Sequence, residues 1–431
     1  MPETFSTACP VYWPRAIILM DMNAFFASIE QRDFPSLQNK PVAITNGEAG
    51  STIITCSYEA RAFGIHTGMS IYRARELCPH VIQRSTRPKE YARVSIAIMR
   101  ALEDISPDIE VFSVDEAFLD VTHCQKLHGT PLRMGRMVKQ KVVEVSGLPC
   151  SVGISGDKTT AKFAAKLVKP DGLTIIPPWE ARERLQHEPT TALCGIAEGI
   201  GSFLAQHGAY HCGDVGKLPI SVLARRFGNL GRRIWLMCQG EDPDKIHMEV
   251  AAPKSLGHGK VVPPGTCKQN IILTYLLHMS EKVAARLRKH RLEARHYFIG
   301  LRLQGGWIGD KLRLATPSNN GDAIFRLCNF IVEHHWHGEV IKQVQVTALD
   351  PQPVRQQMEL FDEHDSLQNK NLDNTQGKVD KKARQEIAEA MDQVNQRYGE
   401  FTLAPARLLN RSSMPNVIAP AWKPDGHRKT V

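Results

Sequence analysis

The chain has 431 residues, is 42% hydrophobic and 23% charged, and carries a formal charge of +9. These values exclude a disordered chain and a single small domain, and point to a globular protein of several domains. No apolar run is long enough to span a bilayer, no charged-then-apolar signal pattern opens the chain, and the ten cysteines are scattered with no CxxC spacing, which argues against secretion, a disulfide scaffold or a zinc ribbon and for a reducing compartment.

Residues 16–22 read as a buried strand, followed by an amphipathic helix through about Gln31. Strands are predicted at Pro41–Ile44 and Thr52–Cys56, and short helices at Tyr58–Phe63 and Ile71–Leu77, punctuated by Gly64, Gly68 and Pro79. A long helical pattern runs from Glu90 to about Ile105, with Val94, Ile98, Ala101, Leu102 and Ile105 at helical spacing. A second strand-like run, 112–120, comes next, then a helix around Leu132–Val145, a strand at Cys150–Ile154 and a helix at Thr159–Val168. Such alternation suggests an α+β sheet with helices on one face. From about Thr190 to Asp244 the pattern changes to short helices broken by glycine, and Ala251–Lys254 reads as a linker. Residues 254–350 mix strands such as Tyr297–Leu303 with helices such as Ile272–Lys289. Beyond Pro351 the chain reads as loose and polar to about Gly377, then as one amphipathic helix with Ile387, Met391, Val394 and Tyr398 on a single face.

Charge is unevenly placed along this order. Residues 254–347 hold 14 Lys and Arg against 6 Asp and Glu, while the rest of the chain is close to neutral. One segment therefore carries nearly all the excess, the footprint of a module that grips a phosphate backbone.

Chemistry concentrates in three acids. Asp21 interrupts the apolar run Ile17–Phe26, and Asp115 and Glu116 interrupt Phe112–Asp120. Ionised carboxylates inside apolar strands are costly unless positive charge sits beside them. Hard oxygen donors of this kind suit Mg²⁺, one ion or a pair, and the chemistry of two-metal phosphoryl or nucleotidyl transfer. Adjacent residues on a flat strand point to opposite faces, so a hairpin is predicted near Asp115 and Glu116. Asp120 reads as a strand-end hydrogen-bond acceptor.

At Asp21-Met22-Asn23-Ala24-Phe25-Phe26-Ala27-Ser28-Ile29-Glu30 and Ser113–Asp120 the chain resembles the Y-family translesion DNA polymerases, and most closely their DinB-type branch. The likeness continues through Ser57–Ile65, Val152–Ser155, Ala161–Lys166, Lys169-Pro170-Asp171-Gly172 and Lys254–Gly259, and spans roughly residues 15–350 in order. Asn23-Ala24 is also seen in the polymerase V catalytic subunits.

That resemblance implies a right-hand polymerase: an N-terminal extension (1–14), a ferredoxin-like palm (15–35 and 85–180), small fingers (36–84), a helical helix-hairpin-helix thumb (181–245), a linker (246–253), an α/β little finger (254–350) and a flexible C-terminal extension (351–431). It implies that Asp21, Asp115, Glu116 and the main-chain carbonyl of Met22 hold two Mg²⁺ ions. Tyr58, Arg61 and Lys169 would contact the triphosphate, with Lys162 and Arg73 as weaker candidates. Phe26 would be the steric gate beneath the sugar of the dNTP, and Phe25, about 100° away on the helix, its core neighbour. Gly195, Ala197 and Gly199 of the thumb hairpin, and Lys254, Ser255 and Gly257, would meet primer-template DNA; Ala197 departs from the family's usual glycine. Gln357, Met358, Leu360 and Phe361 are similar to the peptide by which bacterial polymerases bind their sliding clamp. The implied activity is Mg-dependent, error-prone translesion synthesis without proofreading, by a monomer in the cytoplasm, at the nucleoid of a bacterium, and with no membrane partner. The rival readings are a non-catalytic scaffold bound to DNA and the clamp, and another palm-type enzyme such as a nucleotide cyclase. Three unpaired acids argue against the scaffold, and the basic segment with its hairpin and clamp peptide argues against the cyclase.

Overall fold

A computed structural model describes residues 12–47, 52–249, 252–354, 378–399 and 401–410. The described residues divide into two units, one within 1–251 and the other within 252–414.

In the first unit, β1 (Ile17–Met22) leads into α1 (Phe25–Asp33). A small layer follows, made of β2 (Val42–Thr45), β3 (Ile53–Cys56), α2 (Tyr58–Ala62), α3 (Ile71–Leu77) and β4 (Ile82–Ser85), with strand order β3-β2-β4. The chain returns through α4 (Pro88–Leu102), β5 (Ile109–Val111), β6 (Glu116–Asp120), α5 (Gln125–His128), α6 (Pro131–Ser146), β7 (Cys150–Ser155), α7 (Lys158–Leu167) and β8 (Leu173–Ile175). The five-stranded sheet runs β5-β6-β1-β7-β8, and its first four strands have the ferredoxin-like βαββαβ connectivity, with the small layer inserted after α1.

Helices cover both faces of this sheet, not one. Ile18, Met20 and Met22 of β1 pack with Phe25, Val94, Ile98, Met134, Val138 and Val142 from α1, α4 and α6. Ile17 and Leu19 pack instead with Phe118, Ala161 and Ala165, the last two from α7. A strand buried on both faces has no polar side, which is why 17–20 is uninterrupted apolar sequence. Closeness to α7 is enforced at Gly153, where an added Cβ would lie 2.1 Å from the carbonyl oxygen of Ala161.

Five short helices complete the first unit: α8 (Ala181–Leu185), α9 (Glu198–Gln206), α10 (Cys212–Val215), α11 (Ile220–Phe227) and α12 (Asn229–Met237). They share a core of Leu193, Ile196, Leu204, Leu223, Ile234 and Met237. Arg233 donates to both carboxylate oxygens of Asp242, at 2.8 and 2.9 Å, and Lys158 bridges Glu110 and Asp244, at 2.7 and 2.8 Å. These pairs pin the stretch after α12 to β5 and α7.

The second unit has the order β9 (Ser255–Thr266), α13 (Gln269–Lys289), β10 (Leu292–Arg302), β11 (Trp307–Ser318), α14 (Gly321–His335), β12 (Ile341–Leu349), β13 (Gln352–Pro353) and α15 (Lys378–Tyr398). Its main sheet runs β11-β10-β12-β9 and is backed by α13 and α14. Within the extension, α15 is docked: Asp392 accepts two hydrogen bonds from Arg288, at 2.6 and 2.8 Å, and Phe401 meets His278 edge-on. The docked side of α15 is Ala388, Met391, Asp392 and Asn395; on the apolar stripe read from the sequence, Ile387 and Tyr398 are 60% and 65% exposed. Of that stripe Met391 lies on the docked side, beside the ion pair. Gln357, Met358, Leu360 and Phe361 lie outside the described residues.

Candidate functional site

The two acid-bearing runs meet edge to edge. In the β1–β6 ladder Asp21 stands opposite Glu116, and in the β1–β7 ladder it stands opposite Ser151. The predicted hairpin is present: β5 and β6 are joined by 112–115, where the N–H groups of Phe112 and Ser113 both donate to the carbonyl oxygen of Glu116. Met22 N–H donates to the carbonyl oxygen of Asp115, at 2.9 Å, which ties the turn to the end of β1. The turn is what lets neighbours in sequence, Asp115 and Glu116, serve one region.

Asp21 is 5% exposed. Its pKa is pushed up to about 7, by burial first and then by the negative charge of Glu116, against the pull of Lys169, whose Nζ lies 2.6 Å from Oδ2. Burial also raises Asp115, although the Ser113 hydroxyl donates to its Oδ1. Glu116 accepts a hydrogen bond from Lys162 Nζ, at 2.6 Å. Among the described residues no group of three or more His, Cys, Asp or Glu side chains is gathered as a cage for a metal ion; two of the three acids are held by ammonium groups instead. The donor set itself, three carboxylates and the Met22 carbonyl, is hard oxygen throughout and suits a divalent cation. The raised pKa of Asp21 records negative charge that such a cation would neutralise.

The direction of that shift carries a stability consequence. Between the unfolded value near 4 and the folded value near 7, folded Asp21 holds a proton that the unfolded chain has released. Its contribution to stability is therefore full below that window and is lost as pH rises through it. Asp21→Asn is expected to stabilise chelator-treated protein at pH 8, by a few kcal/mol at most, and so to raise its thermal midpoint, with the gain closing toward pH 4. Melting curves across that range check it, and a gain that does not vary with pH would remove the assigned cause.

Lys169 reaches Asp21 from the turn between α7 and β8, and a residue the sequence did not single out holds that turn. Lys139 Nζ, on α6, donates to the carbonyl oxygens of Cys150, Asp171 and Gly172 and to the Asp171 carboxylate, at 2.5–3.3 Å. Gly172 has no room for a side chain, since a Cβ would meet the Val168 carbonyl oxygen at 1.8 Å.

Phe25 and Phe26 open α1 behind Ala24, which takes the left-handed conformation with φ 45°. Both rings are buried, Phe25 at 2% and Phe26 at 8% exposure. The Phe26 ring stacks on Tyr91 with centroids 4.3 Å apart and planes 11° apart. Tyr91 OH donates to Glu30, and Arg87 holds the same carboxylate oxygen at 2.6 Å. Tyr58 and Arg61 share α2, with the guanidinium 4.7 Å from the Tyr58 ring centre, and the buried Tyr58 hydroxyl has no hydrogen-bond partner. Asn23 is similar: its buried Nδ2 is unpartnered while Oδ1 accepts from Ser151. Arg73 is spent on an exposed ion pair with Glu76.

Gly195, with φ 96°, turns the chain into α9, whose N-cap is Ala197; Gly199 is in its first turn with open space where a Cβ would go. In the second unit Lys254 precedes β9 and Ser255 begins it, and Gly257 O accepts a hydrogen bond from Arg286.

Comparison with known proteins gives one answer. Residues 20–166 match the impB/mucB/samB family and residues 253–360 the C-terminal domain of that family. The chain is 33% identical to DNA polymerase IV of Moorella thermoacetica, across 89% of this chain and 94% of that one. It is 30% identical to DNA polymerase IV of Serratia proteamaculans, across 79% and 98%. A solved Y-family DNA polymerase chimera superposes with a TM-score of 0.70 at 22% identity, covering 79% of this chain and 100% of the chimera.

Proposed function

The chain belongs to the DinB-type branch of the Y-family DNA polymerases, and within that translesion DNA polymerase we propose that the two-stranded meeting of Asp21, Asp115 and Glu116 is the catalytic centre. The observation that carries this reading is a mutually repelling set of carboxylates: buried Asp21 faces Glu116 across the β1–β6 ladder, with Asp115 in the adjoining turn. Asp21, Asp115, Glu116 and the Met22 carbonyl would hold two Mg²⁺ ions. Two such ions, when bound, lower the pKa of a primer 3′-hydroxyl and stabilise the leaving pyrophosphate.

Other roles fall to the chain's own side chains. Arg61 supplies a planar guanidinium and Tyr58 an unspent hydroxyl to the triphosphate of the incoming dNTP. Lys169 supplies a point charge from a turn that Lys139 braces. Phe26 lies beneath the sugar and excludes a 2′-hydroxyl by shape. N–H groups at the start of α9, around Gly195, Ala197 and Gly199, meet a DNA phosphate without reading sequence, and the segment begun by Lys254, Ser255 and Gly257 adds a basic surface.

We assign 15–35 and 85–180 to the palm, 36–84 to the fingers, 181–245 to the thumb, 246–253 to the linker and 254–350 to the little finger. No described helix is long and apolar enough to cross a membrane. We place the enzyme in the cytoplasm, at the nucleoid, as a monomer that copies damaged template with low fidelity and without proofreading. Primer extension on a defined template with Mg²⁺ tests the whole reading: a protein that binds primer-template yet never extends it would leave only the scaffold.

Clamp binding rests on sequence alone. Deleting 357–361 is expected to leave extension of a bare primer unchanged and to abolish stimulation by the sliding clamp. Stimulation that survives the deletion would assign the contact elsewhere.

A further inference from the structure

A cavity of about 530 Å³ opens where β4 ends and α4 begins, lined by Arg75, Gln83, Arg84, Ser85, Thr86 and Arg87. The lining contains three guanidinium groups, one amide and two hydroxyls, with no carboxylate and no apolar side chain.

The acids that answer these arginines stand behind the cavity. Arg87 donates to Glu30, at 2.6 Å, and to Asp33, at 2.7 Å. Arg84 lies over the Phe34 ring, 4.5 Å from its centre, and its nearest charge contact with Glu30 is long, at 3.5 Å. Its Nε is buried and has no hydrogen-bond partner. Arg75 spends one nitrogen on Gln83 Oε1, at 2.9 Å, and is otherwise exposed on α3. An internal ion network accounts for Arg87, which has two carboxylates. It does not account for three arginines lining one cavity with no carboxylate among the lining residues.

We propose that this cavity binds phosphate, and that the phosphate is the backbone of the uncopied, single-stranded template. Guanidinium forks suit phosphate oxygens in pairs, and Ser85 and Thr86 add neutral donors. No group in the lining selects a base, as a strand of arbitrary sequence requires. Its position favours the template over a free anion. Tyr91, four residues beyond Arg87 on α4, stacks on Phe26, so the cavity and the floor of the nucleotide site share one short stretch of helix. The location therefore rests on the reading of Phe26; the phosphate chemistry does not.

The test uses the full chain, fluorescence anisotropy, and DNAs of one duplex with either no template overhang or one of about six nucleotides. In the wild type the overhang is expected to tighten binding severalfold. Arg75→Gln/Arg84→Gln should lose that gain, leave blunt duplex binding unchanged, and reduce the salt slope on overhang DNA by about 1.4, the value for two single-strand phosphates. Arg84→Lys should keep part of the gain. Titration with tripolyphosphate separates the sources. If the double variant loses tripolyphosphate binding but keeps the overhang gain, the template assignment is overturned and the cavity serves free polyphosphate. If neither changes, the arginines are a structural network and the proposal falls. Should the double variant not fold, Arg75→Gln alone, at an exposed position, gives the same readout at half the slope change. Phe26→Ala should leave the overhang gain intact, so failure of the sugar-floor reading is distinguishable from failure of this one.

Discussion

Glu116→Ala or Asp115→Ala is expected to reduce dNTP incorporation by roughly a thousandfold or more, the scale of several kcal/mol of lost charge stabilisation, while DNA affinity stays within a few-fold. The separation follows from where the acids sit. Asp115 and Glu116 lie at the turn into β6, where Glu116 faces Asp21, whereas the basic excess proposed to grip DNA lies in residues 254–347. Removing Glu116 also frees Lys162, which bonds it at 2.6 Å, so a buried lysine loses its carboxylate. Part of any loss of stability will come from that stranded charge. Glu116→Gln keeps the volume and a polar partner, and the two variants together separate stability from chemistry. Single-turnover primer extension on saturating DNA is the measurement, and retained incorporation would remove the metal assignment.

The second large effect is on sugar selection. Phe26→Ala should raise ribonucleotide use relative to deoxyribonucleotide by on the order of a hundredfold, because a shape-based exclusion worth a few kcal/mol disappears. The ring is a fixed floor, clamped against Tyr91 with planes 11° apart and backed by Glu30 and Arg87. That same packing makes truncation costly, at about 3–5 kcal/mol for a buried phenylalanine. Phe26→Leu keeps more of the core, and an intermediate loss of discrimination from it would show that ring shape, not global loosening, sets the ratio. The ratio of kcat/KM for rNTP and dNTP decides the matter; an unchanged ratio would move the gate to another residue.

Much of this was legible from residue order. The run 17–22 announces a strand buried on both faces because it has no polar side, and the long helices of the sheet stand within two or three residues of the bounds read from their apolar spacing. Two strands were not legible. β4 reads Ile-Gln-Arg-Ser and β8 Leu-Thr-Ile; both are short edge strands that exist because a parallel neighbour pairs with them. The carboxylates announced themselves as charges in apolar sequence, but their ion pairs did not. Lys162 and Lys169 were read only toward the triphosphate, and their pairing with Glu116 and Asp21, like the bracing of the turn by Lys139, follows from where α6, α7 and the turn before β8 come to rest. Likewise the apolar spacing of α15 gave the helix but not its long-range ion pair, Asp392 with Arg288.

Position within the sheets has a further consequence. β1 and β6 have neighbours on either side in a five-stranded sheet with two helical covers, whereas the small layer that follows α1 has three strands of four residues, β4 half-exposed along its length. Amide protons of β1 should therefore exchange only with global opening, and those of β4 through cheap local fluctuations. On the proposed site, a distorted base would be accommodated by yielding at the periphery, while the carboxylates of β1 and β6 hold their places.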